Sequence, residues 1–341
     1  MRDTVFYPAQ DDMRERMASL RRLLNSLHTP YGAGDSVAVK VHWGERGNTS
    51  FLPPDYAREI VHWLHDCGMK PFVFDTTVLY SGGRRTASDS LKTAKDHGYS
   101  EAFLGCPIVI GDGHDGRDVI DIDAKFKHFD TVQVTRQVEA ADGFLIFSHF
   151  KGHMAAGFGG AIKNISMGFA SRAQKQRMHS DVHPVLQKGK CTMCGLCVDV
   201  CPTGAAHFPE GSDYPEYDRD LCIGCAQCIG LCPEVALKIL WETDATVFQE
   251  KLVETTAAVW KRIKEKTLLV NALFTITTDC DCWPGHNPVI APDMGFVGGY
   301  NPVHVDRESL NRIGEDVFTT AHPAVPWRRQ FDYWTEIGIG E

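Results

Sequence analysis

Eight of the chain's twelve cysteines fall in two runs, Cys191, Cys194, Cys197 and Cys201 before Pro202, and Cys222, Cys225, Cys228 and Cys232 before Pro233. Each run reads C-x2-C-x2-C-x3-C-P, and the second repeats the first 31 residues later. Thiolates are soft ligands for iron and zinc. Three of them at such short intervals can wrap three corners of an iron–sulfur cube. The small residues between them, Gly195, Gly224 and Ala226, let the backbone curl so that amides face sulfur. Structural zinc is the rival reading. Zinc ribbons, however, combine two separated C-x2-C pairs into one four-ligand site, which two runs of four fit poorly.

A second group of residues able to do chemistry lies outside the repeat. Cys280 and Cys282 sit in Thr278-Asp279-Cys280-Asp281-Cys282-Trp283-Pro284, too close for an ordinary disulfide between them. Two readings stand: packed thiols in a proline-rich loop, or a third metal or redox site, for which two thiols supply half of a usual ligand set. The stretch Ser148-His149-Phe150-Lys151-Gly152-His153 continues to Gly157-Phe158-Gly159-Gly160-Ala161-Ile162-Lys163-Asn164-Ile165-Ser166-Met167-Gly168. Its glycines suit either a turn packed on the core or a loop that approaches a ligand at a helix N-terminus. It matches neither a P-loop nor the dinucleotide fingerprint, and no flavin or nicotinamide motif is visible elsewhere; a flavin site without a motif stays open. His149 and His153 can bind metal or move protons, and Lys163 or Lys151 can hold an anionic substrate. Lys40, His42, Asp75 and Asp293 fall at predicted strand ends or loops, where ligand sites of α/β proteins gather. Cys67 and Cys106 adjoin predicted elements and read as small core residues.

The elements that must position these residues alternate. Strands are expected at Ser36–Val41, Pro71–Phe74, Pro107–Ile110, Gly143–Phe147 and Leu268–Val270. Helices are expected from Pro53-Pro54 to Gly68, with Ile60, Val61, Leu64 and Cys67 on the apolar side, and over Thr86–His97, Arg136–Ala141 and Val247–Lys266. Val119–Val134 reads as a hairpin, and few clear elements appear beyond Cys280. This rhythm predicts an α/β fold with a parallel or mixed sheet and an inserted small α+β unit. The expected division is 1–187 for the first part of the α/β domain, 188–240 for the cysteine-rich unit, and 241–341 for the remainder, which carries the Cys280/Cys282 loop. An interrupted α/β domain and three domains in series are both open.

Composition narrows the function classes. Apolar residues make up 43% and charged residues 23%, ordinary globular usage that allows a real core. A formal net charge of −9 argues against wide contact with a phosphate backbone, so no nucleic acid partner is expected. No apolar run is long enough to span a bilayer, and the start MRDTVFYPAQDDMRERM does not read as a secretory signal, so the expected location is the cytoplasm. There, cysteines serve as metal ligands or redox thiols rather than disulfides.

The cysteine spacing resembles that of bacterial two-cluster ferredoxins. The resemblance implies crossed ligand sets: Cys191, Cys194, Cys197 and Cys232 for one 4Fe-4S cluster, and Cys222, Cys225, Cys228 and Cys201 for the other. More widely, the chain resembles ferredoxin-containing members of the domain of unknown function 362 family. That resemblance rests on the 148–168 stretch, Ser171-Arg172, Met178-His179, both cysteine runs and Phe248-Gln249-Glu250-Lys251. It continues through Asp279-Cys280-Asp281-Cys282, Pro288-Val289-Ile290-Ala291-Pro292-Asp293 and Asn301-Pro302-Val303. The chain departs from the family at Asn301, where a small or acidic residue is usual, and at Val303-His304-Val305-Asp306, where the family reads V-A-I-D. The resemblance implies iron–sulfur clusters and anaerobic-type metabolism but no substrate. The α/β part is also similar, at the level of fold, to the amino-terminal domain of nickel-dependent lactate racemases, which carries no function. The expected function is single-electron transfer between redox partner proteins. The alternative is an iron–sulfur oxidoreductase whose clusters feed a substrate or metal site formed by the 149–164 and 279–293 loops, with His149, His153, Lys163, Cys280 and Cys282 as its candidate residues.

Overall fold

The computed structural model describes residues 4–9, 12–179, 183–238 and 243–339. The expected boundary at 240/241 falls outside these residues, as does Met1–Asp3 of the expected non-secretory start. Seven strands form one sheet: β1 (Thr4–Pro8), β2 (Ser36–Lys40), β3 (Lys70–Asp75), β4 (Ile108–Ile110), β5 (Gly143–His149), β6 (Thr267–Leu273) and β7 (Gly295–Gly299), in the order β1-β7-β6-β5-β2-β3-β4. Strands β6, β5, β2, β3 and β4 pair in parallel, and β7 is antiparallel to both of its neighbours. The fold is mixed α/β with a mostly parallel central sheet. Strands from both sides of the cysteine-rich stretch enter this sheet, since β6 pairs directly with β5.

The central strands β5 and β6, GFLIFSH and TLLVNAL, are buried along their whole length, as parallel strands covered on both faces must be. On one face pack helices Met13–Ser26 and Pro54–Asp66, through Leu20, Leu23, Leu24, Ile60, Val61 and Leu64. Proline opens the second of these at its first helical position, where its missing N–H costs nothing. On the other face lie helices Ala161–Phe169, Ala245–Ile263 and Arg329–Glu336, through Ile162, Ile165, Leu252, Val253 and Phe331. The hairpin expected at Val119–Val134 is present as Val119–Asp123 paired with Thr131–Thr135.

Two expectations about placement differ from the structure. Cys67 is exposed at the C-cap of helix Pro54–Asp66, one position beyond the helix, whereas Cys106 is buried. The region beyond Cys280 holds more order than expected: β7 and helices Pro302–Ile313, Glu315–Ala321 and Arg329–Glu336. Pro302 is a helix start behind the Asn301 cap rather than a breaker. The Asn301 side chain accepts from the amides of Val303 at 2.9 Å and His304 at 3.3 Å, a role aspartate fills equally well. No helix among the described residues is long and apolar enough to cross a membrane.

Candidate functional site

The cysteine-rich stretch folds as two copies of one unit. Ala206 pairs antiparallel with Tyr217, and Leu186 bridges Leu237 in the same sense; Leu186 and Tyr217 are 31 residues apart, as are Ala206 and Leu237, so exchanging the two halves carries one pair onto the other. Left-handed backbone recurs in the same register, at Met193 (φ 56°) and Gly224 (66°), Gly195 (77°) and Ala226 (58°), Gly204 (73°) and Val235 (49°). Each pair holds one glycine and one residue whose Cβ disfavours that region, most of all the β-branched Val235. Short helices, Leu196–Asp199 and Gln227–Leu231, follow inside each run.

The eight thiols divide between two cavities. Cys191, Cys194, Cys197 and Cys232 line one; Cys201, Cys222, Cys225 and Cys228 line the other, and Tyr217 lines both. Backbone amides point at sulfur, Met193 at Cys191 (3.4 Å), Ala206 at Cys201 (3.4 Å) and Ala236 at Cys232 (3.2 Å). Among the described residues, no three His, Cys, Asp or Glu side chains are gathered tightly enough to hold a single metal ion. Each set of four thiols stands around a cavity instead.

This unit is fastened to the α/β part by helix Arg172–His179, which packs on Gln227–Leu231 at Gly230, and by the loop that follows β3. Leu79 from that loop packs with Ile229 and Leu237 of the unit. Arg85 is buried and binds carbonyls on both sides: Leu79 at 2.5 Å in its own loop, then Gly230 at 3.1 Å and Cys232 at 2.7 Å in the unit.

A buried polar cluster fills the crevice beyond the carboxyl ends of β2, β3, β5 and β6. Chain direction places it where α/β sheets bind ligands, since β2 is followed by β3 on one side and has β5 on the other. Lys40 ends β2 and meets Asp75, the end of β3, at 2.9 Å, Asn164 Oδ1 at 3.0 Å and the Val41 carbonyl at 2.7 Å. Arg84 bridges Asp75 and Glu45, each at 3.3 Å, and donates to the Tyr80 hydroxyl at 2.8 Å. Burial pushes the Asp75 carboxyl up, but Lys40, His42 and Arg84 outweigh it and hold the group below its ordinary range.

The Cys280–Cys282 loop closes this crevice. Asp281, fully buried, forms an ion pair with Lys151 and meets His149 Nδ1 at 2.9 Å. The other ring nitrogen of His149 faces the Phe274 carbonyl at 2.7 Å, so both nitrogens are engaged by acceptors. His153 Nδ1 accepts from the amides of Ala155 (3.2 Å) and Ala156 (3.1 Å), and its ring stacks on Phe248. Both histidines are therefore held in place by the protein, and Lys151 is occupied by Asp281. Lys163, half-buried, has no hydrogen-bond or ion-pair partner among the described residues and adds positive potential at both cysteines.

Cys282 Sγ lies 3.4 Å from His42 Nε2. The amide of Gly44 donates to His42 Nδ1 at 3.1 Å, which assigns the ring proton to Nε2 and makes it a donor to the sulfur. Tyr80 donates to the Cys282 carbonyl at 3.3 Å. The Cys282 thiol is held well below its usual range, first by the Cys280 thiol that donates to it and then, against burial, by His42 and Lys163; the Cys280 thiol rises correspondingly. Asp293 lies apart from this contact. It pairs with Arg16 at 2.7 Å and accepts from the Thr275 amide at 2.6 Å, fixing the turn after β6.

The glycine-rich stretch is a packed turn. A side chain at Gly160 would collide with Asp306 and Phe150, and one at Gly152 with the Thr278 carbonyl. The start of helix Ala161–Phe169 is capped from inside: Asp306 accepts from the amides of Ala161 at 2.7 Å and Ile162 at 2.9 Å. This cap occupies the position where an anion was one of two expectations. Arg84, Tyr80 and Glu45 are not singled out from sequence, and Asp281 and Asp306 enter there only within motifs, with no role of their own. Buried arginine and aspartate are rare enough to mark a site, but burial is not written in local sequence.

Fold and site together define an α/β protein with a mostly parallel sheet, a polar crevice at the strand ends and a cysteine-lined unit beside it. The chain belongs to the DUF362 family, a domain of unknown function, whose family model matches residues 37–311. No functionally curated protein matches the sequence. A solved Thermotoga maritima protein is similar, with a TM-score of 0.50 and 9% identity over 90% of this chain and 60% of that one. The lactate racemase apoprotein from Thermoanaerobacterium thermosaccharolyticum is more distant, at TM-score 0.38 and 12% identity over 79% of this chain and 55% of that one. The chain thus spans less than two thirds of either protein.

Proposed function

We propose that the chain is an iron–sulfur protein that binds two 4Fe-4S clusters in a bacterial ferredoxin-like unit and relays single electrons between redox partners. The observation that carries this reading is the crossing of the ligands: the fourth cysteine of each run lines the cavity of the other run. Amides aimed at sulfur and the left-handed loop residues repeated in both halves support it, since both are needed to wrap a chain around a cube. When bound, such clusters supply one-electron oxidation and reduction. The chain's own part is to hold the thiols, shield them and offer a contact surface. Leu221 and Ile223, 51% and 67% exposed on either side of Cys222, give a partner protein an apolar approach to the second cavity.

A second reading, a redox enzyme, draws support from the contact of Cys282 with His42 in the crevice into which the post-β3 loop reaches from the cysteine-lined unit. Both readings require reducible clusters. Protein purified without oxygen and reduced with dithionite is expected to give the electron paramagnetic resonance signal of reduced 4Fe-4S centres. Absence of any reducible iron signal overturns both.

A further inference from the structure

We propose that Cys282 is a resident thiolate nucleophile and that Lys163 selects an anionic electrophile for it. This deepens the enzyme reading of the same crevice and rests on it.

The inference starts from charge balance. Facing Cys282 from β2 and the loop after β3 are Lys40 and Arg84, but these are matched by Asp75 and Glu45, which they contact directly. On the cysteine loop itself, Asp281 is matched by Lys151 and His149, and Asp279 faces His322 at 3.7 Å. Tyr80 spends its proton on the Cys282 carbonyl. His153 and His179, from the turn after β5 and helix Arg172–His179, are held neutral by burial and by the nearby lysine charge. What remains is one cation without a partner, Lys163, and one pair of thiols, Cys280 and Cys282.

Donor geometry decides which sulfur carries the negative charge. His42 Nε2–H is aimed at Cys282 because Gly44 holds the other ring nitrogen as an acceptor. The His42 donor and the Lys163 ammonium group, with Cys280 keeping the proton of the thiol pair, stabilise a thiolate at Cys282 in the same way as at other activated cysteines. Both cysteine residues are partly exposed. A ligand with a carboxylate or similar anionic group gains Lys163 as its counter-charge. The histidines and Lys151 are already engaged and offer no competing anchor.

Chemical labelling of the full-length native protein tests this, with iodoacetate as the anionic probe, iodoacetamide as the neutral one, and mass spectrometry to resolve the site. In each reaction the Cys282 sulfur forms a bond to carbon, the carbon–iodine bond breaks and iodide leaves; no proton moves, because the attacking group is already a thiolate. Exposed Cys67 is the internal reference. Cys282 is expected to react with iodoacetate at a rate nearly constant between about pH 6 and 8, while Cys67 speeds up about tenfold per pH unit. Lys163→Met should slow iodoacetate at Cys282 about tenfold and iodoacetamide by less than about threefold. His42→Gln, which keeps an N–H donor, should retain the flat profile, and His42→Ala should lose it. A Cys282 rate that climbs with pH like that of Cys67 overturns the thiolate. Equal slowing of both probes in Lys163→Met overturns the anion selectivity. Iron content measured on the same samples separates either result from failure of the cluster reading.

Discussion

Arg84 and Arg85 are neighbours in sequence whose guanidinium groups are bound by opposite parts of the molecule. Arg84 contacts Asp75, Glu45 and Tyr80 in the crevice, and Arg85 contacts the carbonyls of Gly230 and Cys232 in the cysteine-lined unit. One short loop from β3 therefore sets the position of both sites. The path from Cys282 runs through Tyr80, Arg84 and Arg85 to the backbone of Cys232.

Arg85→Ala should loosen the unit without disturbing the sheet. The substitution removes a buried cation bonded to carbonyls, each such contact worth about 1.5–3 kcal/mol, and leaves those oxygens without a donor. A loss of about 2–4 kcal/mol is expected, with faster amide hydrogen exchange in Gln227–Leu231 and little change in β5 and β6. Unchanged exchange in that helix would show that Leu79 and the packing of helix Arg172–His179 fasten the unit without Arg85.

The crossing of ligands makes a prediction that a simple serial arrangement does not. Cys232→Ser should remove the cluster held mainly by the first run, and Cys201→Ser the one held by the second. Either variant should keep about four of about eight irons. If labelling or spectroscopy placed the surviving cluster in the first run of Cys232→Ser, the ligand sets would not cross.

Asp281 and Asp306 should give pH effects of opposite sign. Burial pushes the Asp281 carboxyl up, but His149 and Lys151 outweigh it and hold the group well below its ordinary range. Its contribution is thus fully present above the ordinary carboxylate range and is lost as pH falls through the depressed value. Asp281→Asn strands Lys151 and should cost about 3–5 kcal/mol near pH 7, a difference that shrinks in acid. Denaturant melts of both proteins across pH measure it, and a pH-independent difference would contradict the ion pair's role.

Asp306 is raised to about 6 by burial, against the pull of Asn271 and the amides of Ile162 and Ala161. The folded state therefore binds this proton more tightly than the unfolded chain. Stability should fall by about 3 kcal/mol as pH rises from about 4 to about 6 and then level off. Asp306→Asn cannot ionise and should remove that slope; persistence of the slope in the variant would assign it to another group.

The parts of the molecule legible in sequence are those whose signal is local. The cysteine spacing identifies both runs and their register, and the alternation of apolar runs with capped amphipathic stretches gives β2, β3, β5 and helix Pro54–Asp66. Polar residues at strand ends, Lys40, His42 and Asp75, mark the crevice. Its assembly is not legible, because Arg84, Glu45 and Asp281 meet only when three loops fold over the strand ends. The 157–160 glycines mislead for a related reason. Glycine before a helix leaves room for a ligand or for a neighbouring chain, and here Asp306, 146 residues from Gly160, fills the space. Beyond Cys280, proline and glycine hide β7 and helix Pro302–Ile313, and β7 is completed by β1 from the other end of the described chain.

The central claim is that eight cysteines hold two cubes, and metal analysis of protein purified without oxygen tests it most directly. About eight irons and eight acid-labile sulfides per chain, with no zinc, are predicted. One or two zinc ions and no sulfide would contradict the account and leave the cysteine-lined unit as a structural zinc module.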